Sequence, residues 1–264
     1  MTASTAVTVS VSAEGLATIS LTQPQRGNPF DGTFVREMKE AFLQLWETPN
    51  LRAVLLRAEG ANFSFGGDLK SFGPQLDQLP QLVRSWTADL HMGLQRAWQL
   101  PVPVVAEVQG WAMGGGVALL AGADIVLAGK STRIGSAFSH IGFSCDSGST
   151  VTLSARMGVA RAKRFVMMGE VLSSQQAMES GLVDIVVEDA ELSREALATA
   201  QRLAQGPTRA YGEIKRLFMR ASAIPMEAML EDEALTLARI AATHDAREGI
   251  TSQLEKRKPV FKGH

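Results

Sequence analysis

Little in this chain invites cross-linking. A single cysteine, Cys145, stands among 264 residues. That excludes an internal disulfide and any cysteine-cluster metal site, and it suits a reducing compartment. An excess of one charge is equally missing. Lys and Arg total 26 against 27 Asp and Glu, for a net charge of −1. No like-charge block runs longer than Lys256-Arg257-Lys258, which argues against a nucleic-acid or anionic-membrane surface. No stretch approaches the roughly 18 uninterrupted apolar residues of a membrane span. Met1 to Ser12 has neither the basic region nor the apolar core of a signal peptide. Hydrophobic residues still make up 45%, enough for a sizeable core in one large domain or a domain with an appendage. The expectation is a soluble cytoplasmic protein, an enzyme or a subunit of one.

Patterning along the chain reads as an α/β core followed by helices. Val7, Val9 and Val11 alternate with polar residues, and Leu16 to Leu21 follows a Glu14-Gly15 turn, so a β-hairpin is predicted. Asp31 can cap a helix carrying Phe34, Met38, Ala41, Phe42, Leu45 and Trp46 on one stripe. Arg52 to Ala58, Val102 to Val108 and Asp124 to Ala128 read as strands. A helix is expected from Leu82 to Leu100, before Pro101, and a short one from Val117 to Ala121. Strands alternating with helices indicate an α/β core. After Val183 to Val187 only helical patterns remain: Ala190 to Gln205, Thr208 to Arg220, Met226 to Thr243 and Asp245 to Lys256. Their apolar stripes need burial against the core or a neighbouring subunit.

Two glycine-rich turns carry the chemical interest. Asn62-Phe63-Ser64-Phe65-Gly66-Gly67-Asp68-Leu69 follows a predicted strand. Gly110-Trp111-Ala112-Met113-Gly114-Gly115-Gly116 joins a strand to a helix. Glycine lets backbone approach a ligand closely, and a helix start leaves N–H groups free in a positive potential. One amide from each turn, aimed at a common point, would make a two-donor oxyanion hole. Either turn alone could equally be a packing turn. Other ligand motifs fit worse. Gly114-x-Gly116 lacks the third glycine of a dinucleotide fingerprint, no Gly-Lys-Ser/Thr forms a P-loop, and no G-x-S-x-G elbow occurs.

Taken together, the chain resembles the crotonase (enoyl-CoA hydratase/isomerase) superfamily over nearly its whole length. The matching pieces are Pro24-Gln25-Arg26-Gly27-Asn28-Pro29, Phe63 to Leu69, Pro103-Val104-Val105-Ala106 running into Gly114-Gly115-Gly116, Ala123-Asp124-Ile125, Gly181-Leu182-Val183-Asp184, and Glu255 to Phe261. The resemblance implies an α/β spiral of ββα units over 1–190, holding an acyl-CoA site. It also implies a helical region over 191–264 for subunit packing, in a homotrimer or a dimer of trimers. The implied ligand is an acyl-CoA thioester whose carbonyl oxygen meets the amides of Gly67 and Gly115. Arg26, Asn28, Ser64, Gly66, Asp68, Leu69, Met113, Ala118 and Phe138 would border it, and Phe261 and Lys262 would complete it. No metal or redox cofactor is implied, since coenzyme A belongs to the substrate.

Departures from the family pattern are informative. The two glutamates of a hydratase would fall at Ala118 and Phe138, and neither residue can exchange a proton. General acid–base groups contribute about 10² to 10⁴ each, so hydration is disfavoured. Cys145-Asp146-Ser147-Gly148-Ser149-Thr150 resembles a turn of family isomerases whose aspartate moves protons along the acyl chain. Asp146 is then the acid–base of a double-bond or ring isomerase, with Phe138 and Phe143 as a wall that raises its pKa. Alternatively it only caps the helix beginning near Ser147. A thioester hydrolase or decarboxylase would draw on His140 or Glu107, each of which also has a structural reading. A catalytically inert thioester-binding subunit is the remaining alternative. Cys145 reads as a packing residue, and His91 and His244 as surface or interface residues.

Overall fold

The computed structural model describes residues 5–221 and 223–264, so the first four residues of the Met1–Ser12 stretch lie outside it. β1 (Val7–Val11) and β2 (Leu16–Leu21) form the expected hairpin, with Val7 opposite Leu21 and Val11 opposite Ala17. β3 (Pro29–Phe30) leads into α1 (Gly32–Glu47), capped by the Asp31 carboxylate, which accepts from the Thr33 and Phe34 amides. Phe34, Met38, Ala41, Phe42 and Leu45 are buried as the stripe predicts. Trp46 is not: it lies at the surface and donates its Nε1–H to the Arg96 carbonyl. β4 (Ala53–Ala58), β5 (Gly66–Gly67) and α2 (Leu69–Phe72) come next. α3 (Leu79–Gln99) starts three residues before the expected Leu82, because Pro80 sits in its first turn, where a missing N–H costs nothing.

β6 (Val104–Val108), β7 (Trp111–Met113) and α4 (Gly115–Ala121) make the next turn of the spiral. β8 (Ile125–Gly129), β9 (Arg133–Gly135), α5 (Ser149–Met157) and α6 (Val159–Met167) make another, and β10 (Val171–Ser173), α7 (Ser174–Glu179) and β11 (Ile185–Val187) close the strand-bearing part. The large sheet runs β1-β2-β4-β6-β8-β11, parallel throughout except at the hairpin. A second layer holds β7, β9 and β10, and a Ser64–Ala112 bridge links it to the β3–β5 pair. Each unit thus places one strand in the large sheet, one short strand in the second layer, and then helix. This is the ββα spiral that the resemblance implies.

Side-chain alternation sorts the central strands between two cores. Val54, Leu56, Val104, Ala106, Val108 and Val126 point inward among the helices and the second layer. Leu55, Val105 and Leu127 point outward to α8 (Leu192–Ala204), against Ala196 and Ala200. Burial on both faces explains why these strands read as near-continuous apolar runs. α8, at the start of the 191–264 region, thus covers the outer face of the sheet. α9 (Thr208–Ala221), α10 (Met226–Ala241) and α11 (His244–Leu254) follow, with α9 tied to the core where Lys215 donates to Asp124 at 2.8 Å. No described helix is long and apolar enough to cross a membrane.

Candidate active site

The two glycine turns meet. Gly66, at φ +76°, lies so close to the second turn that a Cβ there would stand 2.6 Å from the Met113 carbonyl and 2.9 Å from the Gly115 amide nitrogen. Only glycine fits at such a φ and such an approach. The approach is pinned from below. Gly66 donates its amide to Ser64 Oγ (3.0 Å), and Ser64 Oγ donates to the Asn28 carbonyl (2.8 Å). In the β3–β5 ladder the Asp68 amide donates to the Phe30 carbonyl at 3.0 Å. Successive amides in a strand point to opposite sides, so the Gly67 N–H is directed away from β3. Gly115 is the first residue of α4, where an amide has no intrahelical acceptor. Gly67, Gly114 and Gly115 all line one cavity of about 620 Å³.

The same cavity is also bounded by Phe138, Phe143, Ser144 and Asp146, and by residues of α3. The Asp146 turn is bent sharply, with Ser147 at φ +53° and Gly148 at φ +69°. Asp146 does not cap α5 with its carboxylate. Its backbone carbonyl accepts from the Ser149 amide and hydroxyl, which leaves the side chain to the cavity. Burial pushes the Asp146 carboxyl above the ordinary aspartate range, and the neighbouring Ser147 hydroxyl pulls it back only in part. Ser147 Oγ is itself buried and completes no well-formed hydrogen bond.

α3 holds this turn in place, through contacts that the sequence did not flag. His91 Nε2 accepts the Ser147 amide at 3.1 Å, and Trp98 packs so tightly on Gly148 that a Cβ would stand 1.7 Å from its ring. His91 is exposed, as expected of a surface histidine, yet it contacts the residue after Asp146. Phe72 and Trp86 also line the cavity, and no local sequence feature marks them. In sequence, Leu79, Val83, Trp86 and Leu90 make one apolar helical stripe. Nothing local distinguishes a stripe facing a core from one facing a cavity.

Several expected site residues are engaged elsewhere. Arg26 bonds Asp31 (2.7 Å), Asp68 (2.5 Å) and Gln23 (2.8 Å), so it ties the cap of α1 to the cap of α2. Asn28 is buried; its Oδ1 accepts from the Gln23 amide and its Nδ2 donates to the carbonyls of Glu59, Asn62 and Phe63. Ser64, Asn28 and Asp68 therefore shape the turns from behind. Met113 packs on Gly135, and Ala118 is wholly buried in α4; neither faces the cavity. Leu69 and Phe138 do. Phe261 and Lys262 correct an expectation: within this chain they do not reach the cavity. Phe261 packs over Gly249, and the Lys262 amide donates to Asp245 Oδ1 at 2.7 Å.

The alternative catalytic groups are also placed. Glu107 points to the outer face of the sheet, where Ser193 of α8 donates to it at 2.5 Å and Arg57 lies 3.9 Å away. Strand alternation puts it on the Val105 side, away from the cavity. His140 rests on Gly169 and does not line the cavity. Among the described residues no cluster of three or more His, Cys, Asp or Glu could hold a metal ion.

A spiral of ββα units with two glycine turns meeting at an acid-bearing cavity defines a class, and comparison with known proteins assigns it. The chain belongs to the enoyl-CoA hydratase/isomerase family, whose model matches residues 12–264. It is 33% identical over 255 residues to the 1,2-epoxyphenylacetyl-CoA isomerase of Escherichia coli, covering 95% of this chain and 96% of that one. It is 31% identical to the trans-2-decenoyl-[acyl-carrier-protein] isomerase of Streptococcus mutans, covering 94% and 95%. The crystal structure of the enoyl-CoA hydratase from Bacillus anthracis superposes with a TM-score of 0.89 at 28% identity, covering 98% of this chain and all of that one.

Proposed function

We propose that this protein isomerises an unsaturated acyl-CoA thioester, shifting a double bond through an oxyanion-stabilised enolate. One observation carries the reading. Among the described residues Asp146 is the only carboxyl-bearing residue lining the cavity, it is desolvated there, and Gly67 and Gly115 line the same cavity. The thioester carbonyl oxygen accepts both amide N–H groups. Asp146, ionised, removes a proton from the α or γ carbon, and the freed electron pair moves onto that oxygen as an enolate. The protonated Asp146 then returns the proton at the other end of the allylic unit, and the carbonyl re-forms. A raised pKa suits a group that must both take and give a proton. The step is redox-neutral, so its chemistry calls for no metal ion or redox cofactor, and coenzyme A enters only with the substrate.

Hydration fits poorly, because Ala118 and Phe138 occupy the positions where the resemblance puts the water-activating acids. Hydrolysis or decarboxylation through Glu107 or His140 loses its support, since neither side chain lines the cavity. Relatives carry both names, two as isomerases and others as probable enoyl-CoA hydratases, so the reading rests on the chemistry of the site. The test pairs 2-enoyl- and 3-enoyl-CoA substrates with mass spectrometry and NMR in D₂O. Expected is a product of unchanged connectivity mass with deuterium at the α or γ carbon, and a loss of about 10² to 10⁴ in kcat for Asp146→Asn. A product heavier by one water, or release of free thiol, would overturn it. An Asp146→Asn enzyme with wild-type turnover would do the same.

We further propose that the chain works as a homotrimer or a dimer of trimers. Phe218, Leu237 and Leu254 on α9 to α11 are 79%, 70% and 80% exposed, which is apolar surface in need of a cover. Light scattering should then give three or six times 28.3 kDa; a monomeric mass would sink the idea.

A further inference from the structure

We propose that the acyl chamber is shaped for a ring carried close to the thioester, an arylacetyl-like or cyclic unsaturated acyl group, in preference to an extended chain. This rests on the isomerase reading for the reaction, but not for the binding. Aromatic residues make up 6% of the chain, yet Phe30, Phe65, Phe72, Trp86, Phe138 and Phe143 all line this one cavity. Three of them form a continuous panel. Phe72 lies 5.3 Å from Trp86 and 6.2 Å from Phe143, tilted 36° to each. Those spacings fall in the range where rings attract one another by edge-to-face or offset contact, so a further ring in the trough would join the set.

The position of the panel says where the ring must sit. A Cβ on Gly67 would lie 3.5 Å from the Phe72 ring, and one on Gly115 would lie 2.7 Å from the Phe30 ring. Aromatic rings therefore stand beside both glycines whose amides would receive the carbonyl oxygen. Phe30 is held rigid, stacked on Phe34 at 4.0 Å with 14° between planes. A ring one or two carbons from the thioester would lie between these walls. A ring at the end of a long chain would pass beyond them. Among the described residues, polar side-chain groups in the lining are confined to the Trp86 indole N–H, Thr87, Ser144 and Asp146, with no cationic side chain, so an anionic ring substituent would go without an ion-pair partner. A linear acyl group gains only area here, and must freeze its rotors to do so.

The experiment compares non-isomerising thioesters of equal carbon number by calorimetry: phenylacetyl-CoA and octanoyl-CoA, with cyclohexylacetyl-CoA as a non-aromatic ring. The proteins are the full chain, Phe72→Leu and Phe143→Leu, each with its Tm recorded. Expected is about tenfold tighter binding of phenylacetyl-CoA than of octanoyl-CoA, with cyclohexylacetyl-CoA between them. Either substitution should bring that ratio below about threefold while octanoyl-CoA binding stays within about twofold. Equal or tighter binding of octanoyl-CoA to the unmutated chain overturns the proposal, as does a ratio unmoved in both variants. Since none of these ligands need react, an absent isomerase activity would leave the binding result standing. Conversely, a failed ring preference would leave isomerisation of linear enoyl thioesters intact.

Discussion

His91 on α3 accepts the amide N–H of Ser147 on its Nε2 at 3.1 Å, one residue beyond the carboxyl that faces the cavity. The contact couples a helix wall to the sharpest bend of the site. It fixes the ring's tautomer, because Nε2 must present a lone pair to accept. His91 touches no reacting atom in the proposed step, so its role is to position Asp146. A misplacement on the order of 1 Å can cost about 10² in rate. His91→Ala should therefore lower kcat by about tenfold to a hundredfold, with KM changed less than about twofold. His91→Gln, whose amide oxygen can accept the same N–H, should recover most of the loss. Steady-state kinetics on both variants settle it, and equal damage by Ala and Gln would count against positioning.

The adjacent glycines should respond differently to the same substitution. At Gly67 an added methyl would meet Phe72 at an ordinary 3.5 Å, whereas at Gly66 it would collide with backbone of the second turn at positive φ. Gly66→Ala should cost about 1 to 3 kcal/mol of stability. It should also cost about 10² to 10³ in kcat by displacing the Gly115 amide. Gly67→Ala should leave Tm nearly unchanged. Thermal melts beside kinetics make the comparison, and similar melts for both would contradict the geometry.

Asp146 carries a stability cost whose sign can be checked. Burial raises its folded-state pKa above the value in the unfolded chain, so between the two the folded protein binds more protons. Its contribution to stability is full below the unfolded pKa and is lost as pH rises through the folded one. Asp146→Asn removes that loss. The variant should melt higher than the parent at pH 7, and the gap should shrink as the pH is lowered toward 4. A variant less stable at pH 7 would show that the carboxylate is paired more strongly than it is desolvated.

The C-terminal segment folds back on α11 through a second carboxylate. The Arg257 guanidinium, followed by the Val260 amide, holds the Glu248 carboxyl down at about 2 from an ordinary 4.5. Here the folded pKa is depressed, so the stabilisation is present above 4.5 and lost as pH falls toward 2. Glu248→Gln should lower Tm at neutral pH and speed trypsin cleavage after Lys262. The Tm gap to the parent should close between pH 4.5 and 2. A gap that is constant with pH would mean that packing, and not charge, holds the segment.

Much of the architecture follows from short-range pattern alone. The Val7–Leu21 hairpin, the Asp31-capped helix and the apolar strands need only alternation, helical period and capping chemistry, which each segment carries in itself. Gly66 was equally legible, since only that residue type tolerates the turn. Which side of a sheet or helix faces what is a different matter. Glu107 and Val108 are neighbours in one strand, yet the first meets α8 and the second the inner core, a choice made by the elements that cover each face. Asp146 could be matched to a family turn, but its partner His91 lies 55 residues earlier on a helix whose stripe could have faced a core. Phe261 and Lys262 matched the family pattern and still folded onto their own helices, because Asp245 and Arg52 offer them acceptors and donors within the chain. The sequence by itself determined the elements and the glycine turns, since local sterics and periodicity act within a few residues. Only tertiary packing decided which side chains share the cavity, because that depends on contacts between segments that no local pattern encodes.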